Sequence, residues 1–311
     1  MGHTERQSLF TFEDCCHNSG LYSKAEAAAN SLKKIYPLVD ANGIDMKIPM
    51  PGHPYSDKEK SEVEKSCQQL DQLIQANDVI FLVMDSRESR WLPTLMAAVH
   101  NKLAITVALG FDSYVVIRHG VQALNTTSSQ PPSTTPNANE HTRIDFSSIV
   151  PGPELGCYFC SDVTAPGNSM LDRTLDQQCT ISRSGISMIA SGMAIELLAS
   201  VLQHELGQAA PARLAEVDEN SSLLGATPHQ LRGFLSRFHM MTPTVRRFDK
   251  CTACGLEVVR LYKEQGFRFL HMVFHDPEAL ERVTGLLELQ QSANELNLDM
   301  LELDDDESVG E

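Results

Sequence analysis

Cations are scarce in this chain: 25 Lys and Arg face 41 Asp and Glu, a formal net charge of −16 over 311 residues. That balance excludes nucleic acid as the main partner, because gripping a phosphate backbone takes clustered Lys and Arg. An acidic surface suits basic protein partners, although solubility alone would also account for it. Also lacking is any apolar run judged long enough to cross a bilayer, so no membrane insertion is expected. The N-terminus has none of the charged-then-apolar layout of a signal peptide. Without such a signal, the eight cysteines point to a reducing compartment, by default the cytoplasm. There, thiols bind metal or do chemistry rather than pair as disulfides.

What is present alternates between two periods. Lys24 to Ile35 sets Ala25, Ala28, Ala29, Leu32 and Ile35 on one helical face. Residues 46–50 read as a short strand closed by Pro49, Pro51 and Gly52, and 59–76 as a helix through Val63, Leu70, Leu73 and Ile74. The apolar run 79–84 fits a strand buried on both faces, 93–101 a short helix, and 103–109 a second buried strand. Strand, helix, strand at this spacing predicts βαβ units and an α/β, doubly wound, Rossmann-like sheet. Residues 125–141 are dominated by polar residues and proline without periodicity, and read as a flexible insertion. Residues 185–206 carry Ile186, Ile189, Met193, Leu197 and Val201 at helical spacing. Residues 256–274 suit either two helices broken at Gly266 or a hairpin, and Asp276-Pro277 opens a further helix. The last ten residues hold six carboxylates and no cation, a tail expected to be disordered.

The cysteines divide into two kinds. Cys157/Cys160 and Cys251/Cys254 form two Cys-x-x-Cys pairs, the spacing with which two turns supply four thiolates to a closed tetrahedral Zn²⁺ site. A single such pair is often incidental or redox-active; two together favour zinc. Cys179 stands alone between them, just ahead of the 185–206 helix. An unpaired cysteine near a helix start is a candidate nucleophile, since exposed N–H groups and the helix dipole favour thiolate. The ordinary alternative is a small buried hydrophobe.

Several strings occur in order: Arg6-Gln7-Ser8-Leu9-Phe10, Lys24-Ala25-Glu26, Asp85-Ser86-Arg87-Glu88-Ser89-Arg90-Trp91-Leu92-Pro93, Leu109-Gly110-Phe111-Asp112-Ser113-Tyr114, Leu155-Gly156-Cys157-Tyr158-Phe159-Cys160 and Thr174-Leu175-Asp176-Gln177-Gln178-Cys179-Thr180. Together they closely resemble the C-terminal catalytic half of the autophagy-related ubiquitin-like-modifier activating enzymes, within the ThiF/ubiquitin-activating superfamily. The resemblance runs almost end to end. It implies a partial ThiF-type adenylation and catalytic-cysteine domain over 1–290 and an acidic tail over 291–311 that takes part in modifier capture. It further implies ATP- and Mg²⁺-dependent adenylation of a modifier's C-terminal glycine, thioester formation on Cys179, and transfer to a conjugating enzyme. Arg6 and Lys24 match phosphate-contacting positions, Asp85 the Mg²⁺-associated aspartate, and the four paired cysteines the zinc ligands. Implied partners are ubiquitin-like autophagy modifiers, conjugating enzymes and a second copy of the chain, at a cytoplasmic or pre-autophagosomal location. Without that context, Arg6 and Lys24 would pass for solvated surface charges and Asp85 for a helix cap.

The chain departs from the family at its start. The Gly-rich strand-turn-helix that cradles phosphate does not precede Arg6, and His3 stands where the family has Asn. The opening reads as a start placed inside a longer domain, with an apolar strand edge uncovered and adenylation by this chain alone weak or absent. Two other readings stay open: a catalytically deficient, zinc-stabilised binding or dimerisation fragment, and a sulfur-carrier adenylase. The Arg87-to-Pro93 string and the acidic tail count against the last.

Overall fold

A computed structural model describes residues 23–121, 149–161, 182–214, 224–276, 278–289 and 291–292, and the chain divides into two units, 1–48 and 49–311. In the first unit, Ser23 caps α1 (Lys24–Ile35). Its hydroxyl accepts the Glu26 N–H while the Glu26 carboxylate accepts the Ser23 N–H, a reciprocal capping box. Only part of the face the spacing predicts is buried: Ala29 is, but Leu32 and Ile35, 39% and 71% exposed, are not, and Ala27 takes their place. The chain after the helix returns across its first turn, where a Cβ on Gly43 would sit 2.4 Å from the Ala25 carbonyl. It is therefore the small residues that are covered. Residues 46–50 join no strand ladder; Pro49 and Pro51 lack the N–H that a ladder needs.

In the second unit, α2 (Lys60–Ala76) buries Cys67, Leu70 and Ile74 at helical spacing. Its Asp71 carboxylate accepts from His100 Nε2 at 2.8 Å and from the Tyr262 hydroxyl at 3.0 Å. β1 (Val79–Leu82), α3 (Arg87–Val99) and β2 (Leu103–Leu109) then form the expected unit, with β1 and β2 parallel. The helix starts at Arg87 rather than at Pro93, because Ser86 caps it by accepting the Ser89 N–H at 3.3 Å. An interior proline costs a helix roughly 3 kcal/mol. Trp91, Leu92, Leu95 and Met96 are fully buried around it, and at about 1.5–3 kcal/mol for each such side chain their burial outweighs that cost.

β3 (Ser113–Arg118) folds back antiparallel on β2, a strand not foreseen in the sequence. The turn is tight: the Gly110 N–H donates to the Ser113 carbonyl at 2.7 Å. A separate small ladder pairs β4 (Ile149–Val150) with β5 (Ala212–Arg213). β6 (Gln230–Phe234) and β7 (His239–Met241) complete the main sheet, in the order β1-β2-β3-β6-β7. Gly233 on β6 has to be glycine, since a Cβ there would lie 2.1 Å from the Tyr114 ring. Among the described residues the sheet is thus mixed: one parallel pair, then antiparallel neighbours. Both faces are nonetheless covered. Leu103, Ile105 and Val107 of β2 join Val116 and Leu231 in a core with α4 (Ile186–Gln203), while α3 packs against β1 and β2 from the side of Ala104. Among the described residues β1 and β7 are the edge strands, and Phe81 in β1 and Val83 just after it are exposed.

The expectation that no apolar run reaches membrane length needs correcting. α4 is long and apolar enough by length and composition. Its inner row, Ile186, Ala190, Ala194, Leu197 and Val201, packs into the core of the sheet, which accounts for the apolar inner side of this 18-residue helix but not for its outer one. Ile189, placed on the buried face by the sequence, is exposed. At the C-terminal end the two-helix alternative holds. α5 (Leu256–Gln265) and α6 (Phe267–His275) are separated by Gly266 at φ 53°, a left-handed conformation that glycine adopts without strain. α7 (Ala279–Thr284) follows, its approach fixed by the Asp276 carboxylate accepting the Glu278 N–H at 3.0 Å. The expected insertion at 125–141, the helix-opening Pro277 and the acidic stretch 302–311 lie outside the described residues.

Arg118, at the end of β3, is fully buried. It donates to four carbonyls: Pro228 at 2.8 Å, Ala210 at 2.8 Å, Pro211 at 2.9 Å and Thr227 at 3.0 Å. One side chain thereby ties β3 to the segments before β5 and before β6. Arg118→Leu would bury those carbonyls without donors, and a loss on the order of 3 kcal/mol is expected. Urea unfolding checks it, as a lower midpoint at unchanged slope; an unaltered midpoint would show that the four contacts contribute nothing net.

Candidate functional site

Two short turns build the centre of the site. In the first, Cys157 precedes a 3₁₀ turn (Tyr158–Ser161) that contains Cys160, closed by the Cys160 N–H donating to the Cys157 carbonyl at 3.0 Å. Gly156 precedes it, where a Cβ would stand 2.8 Å from that of Cys160. In the second, the Cys251 N–H donates to the Phe248 carbonyl and the Gly255 N–H to the Cys251 carbonyl, both at 3.0 Å. A Cβ on Gly255 would come within 2.4 Å of the Cys251 carbonyl oxygen. Each pair therefore needs its adjacent glycine for the backbone to turn tightly enough to aim both sulfurs one way.

The four sulfurs converge. Cys157–Cys160, Cys157–Cys251 and Cys160–Cys254 lie 3.9, 3.6 and 3.5 Å apart, and all four buried thiols fall within 4.8 Å of one another. These separations are far too long for disulfides. They match the edge of a tetrahedron with Zn–S bonds near 2.3 Å, about 3.8 Å. Backbone N–H groups face the sulfurs as well: Phe248 N–H to Cys160 Sγ at 3.4 Å and Cys254 N–H to Cys251 Sγ at 3.5 Å. Hydrogen bonds from the neighbouring thiols hold Cys251 well below the ordinary thiol range, whereas burial pushes Cys157 up. A cluster of this kind is able to hold a metal ion, and the donor set fits Zn²⁺.

Other groups fix the turns from behind. His229, fully buried, contacts the Gly156 carbonyl through Nε2 at 2.8 Å and accepts the Val245 N–H on Nδ1 at 3.0 Å. That pairing defines a neutral imidazole protonated on Nε2. Trp91 of α3 donates its indole N–H to the Thr252 carbonyl at 2.8 Å. A cavity of ≈ 170 Å³ beside the cluster is lined by Cys157, Cys254, Ala97, Ala104, His119 and Val259 among others. It opens at the start of β2 and so is not the crevice that parallel strands offer at their carboxyl ends.

Asp85 occupies that carboxyl end. It is exposed in the turn between β1 and α3, one residue before the Ser86 cap. Behind it, Arg87, Glu88 and Arg90 are buried. Arg90 donates through Nη2 to the Met84 carbonyl, and burial lowers its pKa while the Tyr158 side chain and Asp85 act to raise it. Lys24 is the exposed first residue of α1 in the first unit. Arg6 and Cys179 lie outside the described residues. Of the residues singled out in the sequence, the structure thus brings the four paired cysteines into contact. Reading the sequence missed Tyr158, Trp91, Thr252 and His229. The first and third were legible only as the aromatic and polar x positions of the two Cys-x-x-Cys pairs, and His229 carried no motif.

A sequence model described as the ThiF family matches residues 3–253, and the chain belongs to that family. Its relatives include proteins named ubiquitin-like modifier-activating enzyme ATG7. That of Gallus gallus is 47% identical over 311 residues, 98% of this chain and 43% of its own length. Those of Homo sapiens and Pichia angusta are 46% and 44% identical, across 98% and 94% of this chain and 44% and 42% of their own. The chain therefore spans less than half the length of these relatives. Among solved structures, E. coli MccB is similar at TM-score 0.41 and 14% identity, over 80% of this chain and 54% of that one, too distant to carry an argument.

Metal analysis of the purified chain should return about one zinc per chain, the stoichiometry of a tetrathiolate site. Cys251→Ser should release it and lower the melting temperature. A metal-free chain with the melting curve of the metal-loaded one would sink the assignment.

Proposed function

We propose that this chain is the catalytic portion of an enzyme that activates ubiquitin-like autophagy modifiers. The observation that carries the reading is the placement of Asp85 at the carboxyl end of β1, backed by buried Arg87 and Arg90, within a chain that is 47% identical to a named modifier-activating enzyme over 98% of its length. Open α/β sheets bind ligands at that end of their parallel strands. Because the chain spans less than half of its relatives, the activity is assigned to a protein of the relatives' full length that carries it.

In this reading ATP is a substrate. A carboxylate oxygen at the modifier's C-terminal glycine attacks the α-phosphorus, the bond to the β-phosphate oxygen breaks, and pyrophosphate leaves an acyl-adenylate behind. Arg6 and Lys24 supply cations to the phosphates, where the charge that builds up in the transition state is stabilised selectively. Asp85 holds Mg²⁺, whose contribution is charge neutralisation at the phosphates. Cys179 then attacks the acyl carbon as thiolate, AMP departs, and the thioester passes to a conjugating enzyme. An activated acyl group needs no strong dedicated base to react with a thiolate. Cys157, Cys160, Cys251 and Cys254 hold Zn²⁺, which supplies closure of the two turns rather than chemistry. The proposed location is the cytoplasm.

The same reading includes a second copy of the chain as partner. α4 is apolar on its outer side as well as its inner one, with Met188, Ile195 and Leu202 56–65% exposed. In the full-length protein, Ile195→Lys should shift the sedimentation mass from dimer toward monomer; a mass unmoved at low concentration would remove this face from the interface.

Two substitutions in the full-length protein test the chemistry. Asp85→Ala should cut modifier-dependent ATP–pyrophosphate exchange by about a hundredfold or more, as losing a group that stabilises transition-state charge does. Cys179→Ser should keep that exchange yet form an adduct that resists reducing agent, because an ester replaces the thioester. If Cys179→Ser still forms a reducible adduct, another cysteine is the nucleophile.

A further inference from the structure

We infer that the two cysteine turns also position the Asp85 loop, with Tyr158 as the positioning residue: through Arg90 it fixes the strand exit on which Asp85 stands. This rests on the reading of Asp85 as part of the adenylation site, but the contacts themselves do not. The guanidinium of Arg90 lies over the Tyr158 ring, 5.2 Å from its centroid, and that of Arg87 lies 5.9 Å from Tyr158 and 5.3 Å from Phe159. The two rings stand edge to face at 5.2 Å and 87°, so each braces the other. Arg90 in turn reaches back six residues to the Met84 carbonyl, the peptide group immediately before Asp85. On the same face of that helix, at i+4 from Arg87, the Trp91 indole is tied to Thr252 between Cys251 and Cys254. The first cysteine turn therefore grips α3 by both of its middle positions and the second by Thr252, and the grip is passed to Met84 by a single side chain.

An aromatic face suits this task better than a carboxylate would. A cation over a ring is attracted by the ring's quadrupole while its N–H edge stays free, here for the Met84 carbonyl. A carboxylate beside Arg90 would neutralise it, and its charge would no longer face the loop that bears Asp85. Arg90 is 4% exposed and its Nε has no hydrogen-bond partner, so the Tyr158 side chain, by its ring face and its hydroxyl, and the Met84 carbonyl hold it in place, with the Asp85 charge adding to them.

The test is hydrogen exchange on the zinc-loaded chain together with pyrophosphate exchange in the full-length protein. Tyr158→Leu keeps apolar bulk and removes the ring. It should speed amide exchange across residues 84–90 by about tenfold, a local opening, with zinc content unchanged. It should also lower kcat of pyrophosphate exchange by about tenfold, the usual cost of losing a supporting contact, at nearly constant KM for the modifier. Tyr158→Phe keeps the ring while losing the hydroxyl that also meets Arg90, and should restore most of both. If Tyr158→Leu loses zinc or fold, Arg90→Lys carries the same test, because it leaves the cysteine turn intact and removes the planar cation. Unchanged protection at 84–90 in the folded variant overturns the positioning role whatever the activity does. Full activity in Asp85→Ala would instead overturn the adenylation reading and leave the exchange result standing.

Discussion

Two turns 94 residues apart in sequence meet at four sulfurs, and the second unit is arranged around that closure. Joining the ends of a loop this long costs about 4–5 kcal/mol of chain entropy. A structural zinc site contributes roughly 10–16 kcal/mol near neutral pH, so metal binding dominates the balance. The segments it draws together are those with least regular structure of their own. The first turn follows the two-residue strand β4, and the second precedes α5 by two residues. Apolar packing alone gives such stretches little reason to hold one conformation; four thiols aimed at one point do.

The sheet imposes a complementary constraint. A parallel neighbour requires a crossover, and α3 provides one between β1 and β2. After β2 the chain has only residues 110–112 before the next strand, enough for a hairpin and too few for a helix. The sheet accordingly changes from parallel to antiparallel at β2, and the strand exit carrying Asp85 lies on the parallel side of that change.

Local chemistry made much of this legible. The segment 103–109 is a buried strand because both faces are apolar, whereas the run 79–84 yields a strand only over Val79–Leu82, at a sheet edge with Phe81 exposed rather than buried on both faces; the four paired cysteines meet because their spacing leaves few alternatives. Gly266 divides 256–274 as a helix breaker should. What could not be read depends on contacts remote in sequence. Pro93 hides the start of α3, whose cap is Ser86 and whose stability comes from burial of Trp91 and Leu92. Residues 46–50 look strand-like, but no neighbour offers them a ladder. On α4 the sheet selects Ala190 over Ile189, because a helix apolar on every side gives no periodic signal to choose between them. His229 carries no local signature at all, since its two partners, Gly156 and Val245, come from other segments.

Arg118 has an electrostatic consequence beyond tying segments together. All four of its hydrogen-bond partners named above are carbonyls rather than carboxylates, so its positive charge stays uncompensated by any of them inside the fold. His229 feels that field. Burial, reinforced by the Arg118 charge and only partly opposed by the Gly156 hydrogen bond, pushes its pKa down to about 3. The imidazole must be neutral to accept the Val245 N–H while serving the Gly156 carbonyl with its other nitrogen. Burial, with the Arg118 charge adding to it, thus keeps a second proton off the group that supports the first cysteine turn, while the Val245 N–H and the Gly156 carbonyl decide which nitrogen carries the one that remains.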